Sequence, residues 1–221
     1  MFARKTCIIE PISLQENVLV YQSVPAEISK KTTVSVPTQF KAYAFIDQKL
    51  AFRIDPCIQK NIVKCYGKEY IGNQLKVAFV ISRTLAQSPW GFGNIQVNNE
   101  RLHEAYRIGA NGKFTIEIVD YVKLIQCFPN NDMITVEQIR EKTISTLKTV
   151  GTPILGKYFS DTNTSVFEMS SLISDFRDRF IEALQSEQIF ETIGIRVSAL
   201  TVDGFHVNED DLELIRNRIN A

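Results

Sequence analysis

Apolar residues recur at every second position through roughly the first 120 residues and at about every 3.6 residues afterwards. The first stretch therefore predicts short strands, each bounded by a charge, a proline or a glycine. Candidates are residues 18–21 and 33–36, and a pair at 40–46 and 50–54. The polar link Asp47-Gln48-Lys49 between the last two suits a hairpin. Residues 62–66 and 75–81 predict a further strand pair across Gly67 and Gly72-Asn73. Residues 77–81 are apolar at every position, so both faces of that strand are expected to be covered.

The segment from Trp90 to Tyr121 has the most distinctive pattern. It opens on an uncharged run, Ser88-Pro89-Trp90-Gly91-Phe92-Gly93, whose glycines and proline predict a loop. Further on, Phe114, Ile116 and Ile118 alternate with Lys113, Thr115 and Glu117 in a strand that ends at Asp120. Gly109 and Gly112 bracket Ala110-Asn111, which predicts a turn with positive φ after the extended segment 105–108.

Beyond Asp120 the pattern is helical. Residues 121–127 predict a short helix stopped by Pro129 and Asn130-Asn131. Thr135, with Gln138 three residues on, forms a capping box ahead of Val136, Ile139, Ile144, Leu147 and Val150, in a helix that Gly151 and Pro153 are expected to interrupt or bend. A second long helix is expected over residues 169–192, with Met169, Leu172, Ile173, Phe176, Phe180 and Leu184 as its inner stripe and Gly194 as its cap. A strand at 195–199 returns to the sheet. Asn208 then caps a last helix whose first turn, Glu209-Asp210-Asp211, suits the positive end of the macrodipole.

Composition narrows the functional classes. The 221 residues suit one domain or two small subdomains, and 44% of them are apolar. Lys plus Arg and Asp plus Glu number 25 each, so no net field favours nucleic acid or an acidic membrane. The longest wholly apolar runs, at 42–46 and 77–81, are far short of the roughly twenty residues of a membrane-spanning helix. The N-terminus has no signal-like apolar core, and a cytoplasmic location is expected. Cys7, Cys57, Cys65 and Cys127 are scattered, and His103 and His206 are the only histidines, so the spacing offers no metal site and no cofactor is expected.

The order Trp90-Gly91, Arg107-x-Gly109-x-x-Gly112, then Phe114, Ile116 and Ile118, closing at Asp120, with Gly194-Ile195 at a later helix-to-strand junction, resembles SPFH (band 7) domains of the stomatin, prohibitin and flotillin superfamily. Within it the chain looks most like the soluble bacterial virion-core-like branch. The resemblance covers about residues 16 to 221. It implies an α+β domain, mostly antiparallel sheet in the N-terminal half, with helices and a returning strand in the C-terminal half. Its bounds would be an extension at 1–15, the SPFH-like domain at 16–207 and the start of an exit helix at 208–221. It also implies a scaffold without catalysis, whose copies gather side by side at a membrane microdomain, Asp120 and the turn glycines being structural. Many members add an N-terminal membrane hairpin or helix and a long C-terminal coiled coil, and the branch most similar to this chain often ends in a zinc ribbon; none of these is expected within the 221 residues. The expected partners are copies of the chain, with a membrane-bound protein or a lipid surface as the membrane link.

Leu212, Ile215 and Ile219 form a narrow stripe on the last helix that could meet a neighbouring copy or the chain's own domain. Trp90 and Phe92 could touch a partner or a lipid edge, or plug their own domain. Phe2 with Arg4 and Lys5 could be a weak surface anchor or simply a frayed terminus. A different functional class, a hydrolase or transferase on an unrelated α+β fold, would use Cys127 or another thiol as nucleophile, with His103 as an imaginable base for Cys127. A third would be a monomeric adaptor binding a peptide along an exposed sheet edge. Gly91-Phe92-Gly93 lacks the Lys and Ser/Thr of a phosphate loop, and Asp203 with Glu209-Asp210-Asp211 lacks the ligand ladder of a calcium loop.

Overall fold

A computed structural model describes residues 7–12, 15–81, 85–186 and 188–220. Phe2, Arg4 and Lys5 lie outside them. The described residues form a mixed α+β chain. In order, the strands β1 (Ile8–Ile9), β2 (Val18–Gln22), β3 (Ala26–Glu27), β4 (Thr33–Val36), β5 (Phe40–Ile46), β6 (Lys49–Ile54) and β7 (Cys57–Asn61) precede helix α1 (Ile62–Tyr66) and strand β8 (Gln74–Ile81). The long strands β9 (Ser88–Asn99) and β10 (Glu104–Ile118) lead to α2 (Tyr121–Cys127), β11 (Met133–Thr135) and α3 (Val136–Asp161). A 3-10 segment, Val166–Leu172, then precedes α4 (Ile173–Ser186), α5 (Ile189–Thr192), β12 (Ile195–Ser198), β13 (Gly204–Val207) and α6 (Glu209–Ile219).

The chain divides into two compact units that interleave in sequence. One comprises Met1–Thr84 with Asp120–Ile139, the other Leu85–Val119 with Arg140–Ala221.

In the first unit a six-stranded antiparallel sheet runs β11-β2-β8-β5-β6, with β3 also on β8, and a three-stranded sheet runs β1-β4-β7. One apolar cluster, including Ile28, Val34, Val36, Ala42, Ile54, Val77 and Phe79, draws on both sheets. Val77, Ala78, Phe79 and Val80 are all buried, so β8 is covered on both faces as its unbroken apolar run predicts. The β5–β6 hairpin also forms as expected. Asp47 and Gln48 both take positive φ, 50° and 66°, as a two-residue primed turn needs.

Residues 62–66, expected as a strand, are helical. The Asn61 side chain accepts a hydrogen bond from the Lys64 amide at 2.9 Å, Gly67 closes the C-terminus at φ 130°, and Tyr66 stacks on Phe52 at 3.7 Å. Cap chemistry and one aromatic contact outweigh the strand preference of Ile62 and Val63.

In the second unit β10 is the spine: β9 pairs along one side of it, β12 and β13 along the other, all antiparallel. Residues 88–93, expected as a loop, are the first half of β9. Trp90 and Phe92 face inwards, and Gly91 and Gly93 are exposed between them. The glycines conceal the period of two because their face has no side chains to read.

The turn expected at Gly109–Gly112 is absent too, and β10 runs through it unbroken. Gly112 serves close approach instead: a Cβ there would collide with the Thr201 carbonyl, which packs against it. Helix α3 also runs through its expected interruption. A Cβ at Gly151 would meet the Phe92 and Phe180 rings, and buried Leu147, Val150, Leu155 and Phe159 hold the helix on both sides of Pro153.

The second long helix is in fact three pieces, the break before α5 falling where Gln188 adopts a left-handed conformation at φ 46°. Met169, Phe176, Phe180 and Leu184 nonetheless form its buried stripe, and Gly194, at φ 76°, ends it before β12 as predicted.

Candidate functional site

The anchored helix α6 is the candidate site. Asn208 caps it, its side-chain oxygen accepting from the Asp210 amide at 3.0 Å. Asp211 then faces Arg107 on β10. The carboxylate accepts from the Arg107 backbone amide at 2.8 Å, from Nε at 2.9 Å and from Nη2 at 3.0 Å. This charge-assisted fork, led by the side-chain hydrogen bonds from Arg107, holds the Asp211 carboxyl below its ordinary range. Further along, the Arg218 guanidinium donates to the His103 carbonyl at 2.6 Å, and Arg216 lies over the Phe167 ring at 5.5 Å.

The stripe on α6 divides between two environments. Ile215 is buried in its own unit and Leu212 is half-buried, whereas Ile219 is 65% exposed; Leu214, off the stripe, is 64% exposed. The helix is thus docked along one side and leaves apolar side chains in solvent.

Trp90 and Phe92 are not on the surface. Trp90 stacks on Phe92 at 5.2 Å, both rings meet Phe180, and the indole N–H donates to the Thr201 carbonyl at 3.1 Å. With both rings buried, the plug position describes them and a partner or lipid contact does not. Asp120 does what a strand-closing Asp can do physically: its carboxylate accepts from the Val122 and Lys123 amides at 2.9 and 3.1 Å and starts α2.

Sequence reasoning passed over two polar arrangements in the second unit. Buried Glu104 accepts from the Ser165 hydroxyl at 2.9 Å and the Val166 amide at 3.3 Å, tying β10 to the 3-10 segment. Beside it the Tyr106 hydroxyl is buried without a hydrogen-bond partner, and burial above all pushes this phenol up from its ordinary value. In a cleft of about 390 Å³ the Tyr158 hydroxyl donates to Asp175 at 2.7 Å, while Arg179 pairs with the same carboxylate at 3.2 Å. Burial and the Asp175 bond keep Tyr158 protonated, as a donor. An alternating sequence gives no sign of either arrangement, because each joins segments about sixty or seventeen residues apart.

A larger concavity, about 710 Å³, lies in the first unit. Its amide Gln22 already donates to the Asn131 carbonyl at 2.7 Å and the Phe128 carbonyl at 3.3 Å. Cys7, Cys57 and Cys127 are half-buried and Cys65 is exposed. His103 sits exposed at φ 53° between β9 and β10. Among the described residues, no group of three or more His, Cys, Asp or Glu side chains is placed to hold a metal ion, and no helix is long and apolar enough to cross a membrane. In comparison with known proteins, the chain matches no family model and no curated sequence.

Proposed function

We propose that the chain is a non-enzymatic scaffold of the SPFH type, which associates laterally with copies of itself and organises a cytoplasmic or membrane-apposed protein complex. The sequence resemblance at Trp90-Gly91, Arg107, Gly109, Gly112 and Asp120 suggests this reading, and the order of elements supports it: a strand-rich unit, a long strand closed by an Asp cap, helices, a returning strand and a last helix. The observation that carries it is α6, pinned to β10 by Asp211 and Arg107 yet displaying Leu214 and Ile219 to solvent. A helix of this length is marginal in water, and exposed apolar positions on a docked helix are suited to burial against another copy. The membrane link in this reading comes from a membrane-bound partner protein or a lipid surface.

The test is mass in solution across a concentration series. The wild type is expected as multimers, and Ile219→Glu is expected to shift it towards single copies without unfolding it, because Ile219 is exposed. Ile215→Glu is unsuitable, since it would place a charge in the unit's own core. A wild type that stays a single copy at every concentration overturns the proposal.

A further inference from the structure

Resting on the assembly reading, we infer that β9 is the edge by which two copies pair, strand to strand and antiparallel, across a two-fold axis.

The direction of the β10 backbone shows which groups on β9 are available. The carbonyls of Arg107, Asn111 and Lys113 accept from the amides of Asn208, Asp203 and Thr201, so these residues turn their backbone groups away from β9. The alternate residues Tyr106, Ala110 and Gly112 therefore turn theirs towards β9, opposite Val97, Phe92 and Trp90. By the same alternation Gly91, Gln96 and Asn98 direct their N–H and C=O groups to the outside of the sheet. All three residues are exposed, and their outward groups have no hydrogen-bond partner among the described residues. Pro89 lacks a donor and limits the edge at one end. The register shift opposite Ile108 and Ala110, where Asn94 takes φ 64°, leaves residues 95–99 as the regular stretch.

Charge selects the occupant. Long edge strands are usually blunted by charged side chains, Lys above all: of the two edges of the six-stranded sheet, β6 carries Lys49 and Arg53, and the uncharged β11 is only three residues long. No residue from 84 to 99 is charged. Two copies of β9 related by a two-fold axis therefore bring no like charges together, whereas two copies of β6 would. With Val97 on the axis, Gln96 of one copy faces Asn98 of the other, and each such residue pair exchanges two backbone hydrogen bonds. The two four-stranded sheets become one. This contact is separate from α6, and because a two-fold contact closes on two copies, growth beyond a dimer requires a second, different contact such as α6.

The test uses the whole chain with Gln96→Lys and Asn98→Lys together. Both side chains are exposed and their outward amides take no part in the β9–β10 ladder, so the fold is expected to persist, read by the fluorescence of Trp90, the only tryptophan. Pairing is expected to weaken at least tenfold, and mixing with a Gln96→Glu, Asn98→Glu chain is expected to restore it. The Gln96 and Asn98 amides should exchange hydrogen slowly in the assembled wild type and rapidly in the Lys variant. An assembled wild type whose mass is indifferent to the Lys pair, or whose Gln96 and Asn98 amides exchange as fast as in that variant, overturns this inference and leaves assembly itself standing. A wild type that never assembles overturns both.

Discussion

Trp90 shows how much a single side chain can combine. Its indole fills the space between Phe92 and Phe180 and satisfies the Thr201 carbonyl, which itself packs against Gly112. Removing a buried aromatic of this size costs about 3–5 kcal/mol, so Trp90→Ala should lower unfolding stability by that amount in denaturant titrations followed by circular dichroism. Asp211 gives a prediction in pH. Its folded-state pKa is depressed by Arg107, so the stability it contributes is present above the unfolded value of about 3.9 and is lost as pH falls through the lower folded value. The protection of the α6 amides, measured against their intrinsic exchange rates at each pH, should therefore fall under acid, and Asp211→Asn should show low protection already at neutral pH. The sequence made Trp90 conspicuous and left its role open between plug and surface; only the distances to Phe180 and Thr201 decide it. Glu104 was not legible at all, because an isolated Glu in a strand looks solvated until Ser165 is seen beside it.

Local chemistry that closes on itself within a few residues was the most readable at the level of elements. The capping box is one case: the Thr135 amide donates to the Gln138 side chain at 2.9 Å, and the Gln138 amide to the Thr135 hydroxyl at 3.2 Å. Thr135→Ala should cost about 1 kcal/mol, measurable as a shift of the denaturation midpoint. The Asp47–Gln48 hairpin, the Asp120 and Asn208 caps and the Gly194 stop were legible for the same reason. Pattern and structure part where glycine or proline suggests punctuation. In β9, β10 and α3 these residues are places where another group approaches the backbone or where burial on either side carries the element through. Helix α1 is the converse case: its Ile and Val suggest a strand, and the Asn61 cap makes a helix.

For the whole molecule, the mixed α+β class followed from the change of period after Asp120. The interleaving of the units did not, because it depends on pairings between distant residues. Strand β11 joins β2 through Ile134 opposite Val20, a separation of over a hundred residues, and nothing in Met133-Ile134-Thr135 indicates it. The candidate surfaces divide in the same way. The α6 stripe was visible as spacing, while the selection of Ile219 over Ile215 needed the docking of α6 on β10.

The interleaving also orders events at the ribosome. The sheet that begins with β2 gains its outermost strand only once Met133–Thr135 has emerged, by which time the whole β9–β10 ribbon is already outside the tunnel. That ribbon in turn waits for Ile195–Ser198 and Gly204–Val207 before its far side is covered. During synthesis the nascent chain therefore carries two unfinished sheets at once, and β9, the longest uncharged strand within them, is the one a chaperone would most need to shield.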